Sequence, residues 1–236
     1  MHSFSANTSS PRARFFRGAL SILMVLYGSF APIANSQIKS DPFAPKNQQA
    51  TIHKSANGSY VVNIQTPSPS GVSRNTYSQF DVPTQGAILN NARKGTNTHQ
   101  AGPIKGNPWL AKGAARVILN EVNSANPSQL RGFVEVGGQR AEVIIANPAG
   151  ITCNGCGFIN ASKGTLTTGK VNVGAGGIEG IDVSRGLVKV EGSGFDVSDT
   201  NYAAIIAKQV EINAKVYAQD LSVIAGENIV TDLGVL

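Results

Sequence analysis

The sequence has few of the residues on which most enzymes depend. Its 236 residues include two cysteines, one tryptophan and three histidines, and charged residues make up 14% of the chain. His2, His53 and His99 lie far apart, which leaves little material for a catalytic triad or a histidine-based metal site. The glycine-rich stretch "GAGGIEG" at 174–180 lacks the Lys-Ser/Thr pair of a phosphate-binding loop, so we interpret it as turns. We therefore predict no catalytic residues, no cofactor and no small-molecule substrate.

Acidic residues are also scarce. The densest group is Asp182, Glu191, Asp196 and Asp199, and we interpret it as a solvated face. A calcium site or a polysaccharide-degrading enzyme built from β-strands would need carboxylates gathered on one face. We therefore predict no metal site, and a polysaccharide-degrading enzyme is the least favoured of the functions considered.

The positive charge of the chain is partly contributed by its first 36 residues. The formal charge is +6, and Arg12, Arg14 and Arg17 lie in a segment that contains no acid. Without that segment, 17 basic and 14 acidic side chains remain, spread along the chain with no Lys/Arg cluster. The basic isoelectric point is therefore a poor argument for nucleic-acid binding.

The N-terminus has the three parts of a secretory signal peptide. The three arginines precede a mostly apolar run from Ala19 to Ala31, and small residues follow at Ala34-Asn35-Ser36. An uncleaved membrane anchor is the alternative, but the apolar run is shorter than the ~20 residues that span a bilayer. We predict a signal peptide at 1–36 with cleavage before Gln37, and an exported protein.

Long amphipathic helical patterns are absent after residue 37, where glycine, asparagine, valine and isoleucine dominate. Short alternating stretches recur between turn signals, which predicts an all-β fold: a sandwich, a barrel or a parallel β-helix. The last 70 residues favour the β-helix, because each strand is too short for a broad sheet. We expect a flexible start at 37–58, a folded domain at 59–236, and a hairpin turn at Gly137-Gly138.

The cysteines lie three positions apart, as Cys153-Asn-Gly-Cys156. Export to an oxidising compartment favours a structural disulfide between them. A redox pair would normally lie at a helix N-terminus, whereas strand and turn signals flank this pair. A zinc site would need two further ligands, which the neighbouring sequence lacks. The disulfide is the favoured interpretation, with the other two as alternatives.

Residues 107–169 carry a resemblance to a known family. Asn107-Pro108-Trp109-Leu110 is similar to an NPNL motif, and Asn147-Pro148-Ala149-Gly150-Ile151 is similar to an NPNGI motif. The chain thus resembles the secretion domain of two-partner secretion exoproteins. These are filamentous haemagglutinin-type adhesins, haemolysins and contact-dependent growth inhibition proteins, and the Cys-x-x-Cys pair resembles the last group most. Both motifs depart from the family pattern at their third position.

The resemblance implies a fold and a role without catalysis. The fold is a right-handed, single-stranded, pectin-lyase-like parallel β-helix with an N-terminal cap and extra-helical hairpin strands. The role is to target a large exoprotein, after Sec-dependent export, to an outer-membrane β-barrel transporter with periplasmic POTRA modules. The β-helix would then form outside the cell. A self-standing β-helix adhesin or binding module is the alternative function.

The two Asn-Pro motifs have two possible roles. Proline ends a strand because it fixes φ and has no backbone donor, and the preceding asparagine favours an Asx-turn. The motifs would then only shape turns. Alternatively, they are recognised directly by the transporter. The sequence leaves both roles open.

Overall fold

The computed structural model describes residues 37–231, so the predicted signal peptide lies outside the described residues. These residues form 23 strands and two 3-10 helices, Lys46–Gln48 and Pro108–Leu110. In chain order the strands are β1 Ile38–Ser40, β2 Thr51–Lys54, β3 Tyr60–Asn63, β4 Val72–Phe80, β5 Ala87–Asn91, β6 Thr96–Thr98, β7 Gly102–Ile104, β8 Val117–Val122, β9 Ser128–Leu130, β10 Phe133–Gly138, β11 Ala141–Ala146, β12 Ile151–Cys153, β13 Cys156–Ile159, β14 Ala161–Thr167, β15 Lys170–Gly174, β16 Gly177–Val183, β17 Leu187–Val190, β18 Phe195–Val197, β19 Tyr202–Ala207, β20 Gln209–Ile212, β21 Val216–Ala218, β22 Leu221–Ala225 and β23 Asn228–Val230. No helix among residues 37–231 is long and apolar enough to cross a membrane.

Three stacked sheets form the body of the molecule. The first face has the strand order β1-β4-β8-β11-β14-β19-β22, the second β2-β3-β5-β10-β13-β18-β21 and the third β20-β17-β12-β9. The chain visits the first, third and second faces in turn, as in β8, β9, β10 and then β11, β12, β13. Successive coils pair in parallel, for example Val143 beside Ile118 and Gly164. This arrangement confirms the predicted parallel β-helix.

Antiparallel strands close the N-terminal end of the solenoid. β1 pairs antiparallel with β4, and β2 pairs antiparallel with β3. These pairs occupy backbone groups at the sheet edge that would otherwise be unpaired. The prediction of an irregular, flexible start at 37–58 is wrong in this respect, because that segment forms the N-terminal cap. A domain boundary at residue 59 is therefore too late.

The interior of the coils is apolar and closely packed. The largest fully buried side chains include Tyr77, Phe80, Phe158 and Phe195, and two of their contacts are edge-to-face ring pairs. Gly164 makes room for the Phe158 ring, since a Cβ there would lie 2.4 Å from its Cδ2. Alternating strand residues thus supply the core, as the sequence pattern predicts.

Two hairpins lie outside the coils. β6 pairs with β7 between the second and first faces of one coil, and β15 pairs with β16 between β14 and β17. The second hairpin, joined by β23, forms a three-stranded sheet. Its apolar residues and outward residues of the first face form a second buried cluster: Val72, Leu119, Ile144, Ala146, Val171, Ile181, Val183, Ala204 and Ile206. The extra-helical strands implied by the family resemblance are therefore present.

The predicted hairpin at Gly137-Gly138 is wrong. β10 lies in the second face and β11 in the first, so this turn joins two faces of the solenoid. The residues that allow a hairpin turn also allow such a corner, and local sequence does not distinguish them.

Candidate functional site

Asn107 is a buried corner residue between the β6–β7 hairpin and β8. Its side chain, 2% exposed, donates from Nδ2 to the carbonyl oxygens of Ile64 (2.8 Å) and Asn90 (2.9 Å). Its Oδ1 accepts the backbone N–H of Trp109 at 3.0 Å and so caps the short helix Pro108–Leu110. The amide thus ties the loop to two strand ends and shapes the turn that follows.

Asn147 has an equivalent arrangement at the corner between β11 and β12. Its side chain is fully buried, and Nδ2 donates to the Asn126 carbonyl (2.9 Å) and to Ser128 Oγ (3.0 Å). Its Oδ1 accepts the backbone N–H of Ala149 at 2.9 Å. The side chain therefore shapes its own turn and bonds to the coil before it.

The two motifs have the same arrangement of buried and exposed side chains. In each, the asparagine is buried and its Oδ1 holds the backbone N–H of the third motif residue. The third side chain points outward: Trp109 is 44% exposed and Ala149 is partly exposed. The two departures from the family pattern thus fall where the turn uses only the backbone. This explains how tryptophan and alanine are accommodated.

The remaining motif residues anchor or end these corners. Leu110 and Ile151 are buried in the core, whereas Pro108 is exposed and Pro148 partly exposed. Gly150 has φ +121°, and a Cβ there would lie 3.2 Å from the Leu187 carbonyl oxygen, so the corner favours glycine.

The structure does not join the two motifs. They lie at different corners of different coils, and each borders its own shallow groove. Arg93 and Lys94 line the groove beside Pro108, and Arg185 lines the one beside Pro148 and Ala149.

The cysteines form a disulfide with Cα atoms 5.3 Å apart. Cys153 ends β12 and Cys156 begins β13, so the bridge spans the corner between the third and second faces. Gly155 lies in that corner with φ +79°. Since both sulfurs are buried at a strand-to-strand corner, the favoured structural interpretation agrees with this geometry.

Four further asparagines are buried, although the sequence pattern does not single them out. Asn75, Asn90, Asn91 and Asn120 lie within strands and are almost fully buried. Asn91 donates to the Ala115 and Gln139 carbonyls, and its Oδ1 accepts the Ala115 N–H at 2.7 Å. Asparagine in an alternating strand usually predicts an outward position. Only its repetition at strand ends, as in "LNN" of 89–91, could have indicated a buried role.

Burial shifts the pKa of several side chains without creating a reactive site. It raises the pKa of Tyr77 and, against opposing hydrogen bonds, that of Asp81. Burial also raises the pKa of Glu142, although Lys163 at 3.7 Å opposes the shift. Within residues 37–231, no three His, Cys, Asp or Glu side chains gather as a metal site would require.

Comparison with known proteins reveals a consistent set of relatives. A model of the TPS secretion domain matches residues 36–235. The chain is 52% identical over 206 residues to "Toxin CdiA" of Yersinia pestis, covering 87% of this chain and 6% of that protein. It is 44% identical over 220 residues to "16S rRNA endonuclease CdiA" of Enterobacter cloacae subsp. cloacae, covering 92% of this chain and 6% of that protein. The chain therefore spans about 6% of the length of these curated relatives.

A solved structure matches the fold. The crystal structure of the filamentous hemagglutinin secretion domain superposes with a TM-score of 0.76 at 35% sequence identity. The match covers 82% of this chain and 65% of that chain.

Proposed function

This chain belongs to the TPS secretion domain family, and on that premise we propose that it targets a much longer exoprotein to a dedicated outer-membrane transporter. Two findings support the proposal. The match to the family covers nearly all residues after the predicted signal peptide. The fold is a closely packed β-helix whose two corner motifs are both built from buried asparagines.

We propose that the exoprotein delivers a toxin in a contact-dependent manner. One relative named above is called a toxin and the other an endonuclease, and each is far longer than this chain. The family of this segment is a secretion domain. The toxic activity would accordingly be encoded outside it.

The proposed route begins with the signal peptide at 1–36 and the Sec machinery. In the periplasm, POTRA modules of the transporter would receive the chain, and the β-helix would form outside the cell. No nucleotide is needed if folding itself favours export. Each new coil buries apolar side chains against the previous coil, which is a favourable process in water.

We further propose that the motifs both shape turns and are recognised by the transporter, and that different residues perform the two roles. The buried Asn107 and Asn147 shape the corners, while the outward Ala149 faces the transporter. The common hydrogen-bond pattern of the two asparagines is the observation that carries this proposal. Each amide donates both of its N–H groups inside the fold and is buried, so a partner cannot reach it while the corner is intact.

Secretion of motif variants tests the proposal. The chain is expressed with its cognate transporter, and the fraction in the medium and the melting temperature are measured for each variant. Asn147→Ala should lose secretion and stability together. Ala149→Arg places a bulky charge outward and should lose secretion with an unchanged melting temperature.

A third Asn-Pro pair supplies the matched control. Asn126 precedes Pro127, but its side chain is exposed. Asn126→Ala should change neither readout. Normal secretion of Ala149→Arg would refute the outward contact, and release of the unaltered chain without the transporter would refute the targeting role itself.

A further inference from the structure

The basic side chains are spread along the sequence without a Lys/Arg cluster, as predicted, but basic and acidic residues are unequally distributed along the solenoid. Residues 37–116 carry two acidic side chains, Asp41 and Asp81, against nine basic ones: Lys39, Lys46, Lys54, Arg74, Arg93, Lys94, Lys105, Lys112 and Arg116. These residues precede β8, so they belong to the cap, the first coils and the β6–β7 hairpin. We call their surface the basic end.

The basic end presents almost no compensating negative charge of its own. Asp41 and Asp81 are both buried, and each accepts a backbone N–H, from Phe43 and Gln129 respectively. Arg74 pairs with Glu121 of β8. The other eight basic side chains are exposed, and none takes part in the ion pairs found within residues 37–231.

The rest of the solenoid has the opposite character. Residues 117–231 expose six acidic side chains, Glu179, Asp182, Asp199, Glu211, Asp220 and Glu227, and four basic ones, Arg140, Lys170, Arg185 and Lys215. Glu179 lies on the outer hairpin β15–β16, whose Gly177 borders Ser70 of the basic end. An anionic surface would therefore attract the basic end more strongly than the rest of the molecule.

Aromatic side chains stand out from the basic end. Phe43 is 95% exposed, although its turn is ordered by hydrogen bonds. Asp41 accepts the Phe43 N–H at 2.9 Å, and Gln49 Nε2 donates to the Ala44 carbonyl at 2.6 Å. A phenylalanine so exposed contributes nothing to the core. The fold instead holds an apolar side chain in water.

Trp109 lies beside the same cap. Its ring is 44% exposed, and its Nε1 lies 3.3 Å from Thr51 Oγ1, at the start of β2. Gln49, which ties the Phe43 turn, is two residues before Thr51. A ring with an apolar body and a satisfied polar edge suits the boundary between water and lipid.

We propose that the basic end docks on an anionic lipid bilayer, with Phe43 and Trp109 entering the interface. Exposed lysines and arginines spread around one end suit a fluid layer of lipid phosphates, because such a layer adapts to their positions. An acidic protein would instead need acids placed to match each base. This inference is independent of the proposed targeting role, although it would hold an exoprotein against the membrane that contains its transporter.

Vesicle binding tests the docking directly. The described residues 37–231 form one packed solenoid, so residues 37–236 are purified and their folding is checked by circular dichroism. Binding is measured by co-sedimentation with vesicles of phosphatidylcholine alone and of phosphatidylcholine with phosphatidylglycerol. We expect binding only to the anionic vesicles, and weaker binding as salt shortens the range of the attraction.

Variants locate the bound surface. Lys46→Gln and Lys112→Gln should each weaken binding about fivefold, and Phe43→Ala on the order of tenfold. Tyr217→Ala and Lys215→Gln are matched controls, because Tyr217 is 52% exposed but lies beyond β8, in the more acidic part of the chain. Both controls should leave binding unchanged.

Three outcomes would overturn the proposal. The first is no preference for anionic vesicles. The second is equal loss of binding in the controls and in the basic-end variants. The third is a domain that binds no vesicles but binds the periplasmic part of the transporter, in a salt-sensitive manner that Lys46→Gln abolishes. That result would assign the basic end to an acidic protein.

Discussion

Replacing Asn147 by alanine should destabilise the domain by breaking one coil corner. The substitution removes three hydrogen bonds, two donated by Nδ2 and one accepted by Oδ1. Ser128 is 1% exposed, so water does not replace its lost partner, and an unsatisfied buried group costs about 1–3 kcal/mol. Asn126 is exposed and Ala149 partly so, which reduces the cost at these two positions. We expect a total of about 2–4 kcal/mol.

Thermal unfolding followed by circular dichroism measures this cost. For a chain of this size, about 2–4 kcal/mol corresponds to a melting temperature lower by about 4–16 °C. Asn126→Ala is the control, because that side chain is exposed and its carbonyl remains; surface changes of this kind stay within about 0.5 kcal/mol. An Asn147→Ala melting temperature within about 2 °C of the unaltered chain would refute the structural role of the motif asparagine.

Three further predictions concern packing, the disulfide and pH. Gly164→Ala should cost about 1–3 kcal/mol, because its Cβ collides with a buried phenylalanine ring; Gly176→Ala meets nothing within 4 Å and should be close to neutral in the same denaturation series. Replacing Cys153 and Cys156 together by alanine should cost about 2 kcal/mol in denaturant unfolding, the loop-entropy value for so small a ring; an unchanged midpoint would contradict a structural role. Burial raises the pKa of Glu142 above its ordinary 4.5, so its contribution to stability is present below that pH and lost as the pH rises through the raised value. Glu142→Gln should therefore flatten the fall in melting temperature above pH 4.5, and an identical pH profile would count against this.

The sequence predicts the fold class well because alternation and turn spacing are local. Val188 and Val190, two residues apart in β17, both point into the core as their alternation indicates. The asparagines of both motifs lie at corners, as their position before a proline indicates, since proline has no backbone N–H for a central strand.

Other features depend on contacts that no local pattern contains. Residues 170–183 alternate like a coil strand, but they form an outer hairpin. The apolar side chains of this hairpin pack against first-face residues of several coils, which are distant in sequence. The cap at 37–58 is largely polar in sequence, yet its strands pair antiparallel with β4 and β3, and its few apolar residues Ile38 and Ala50 join the core. The excess of basic residues in 37–116 can be counted in the sequence, but only the topology places those residues together at one end of the solenoid.

The segment's capacity to direct export is the central claim, and a passenger fusion measures it most directly. Residues 1–236 are joined to an unrelated β-helix passenger, and the passenger in the medium is quantified with and without the cognate transporter. We expect release only when both the segment and the transporter are present, and little release when the segment carries Ala149→Arg. Release without the transporter, or none with it, would contradict the account.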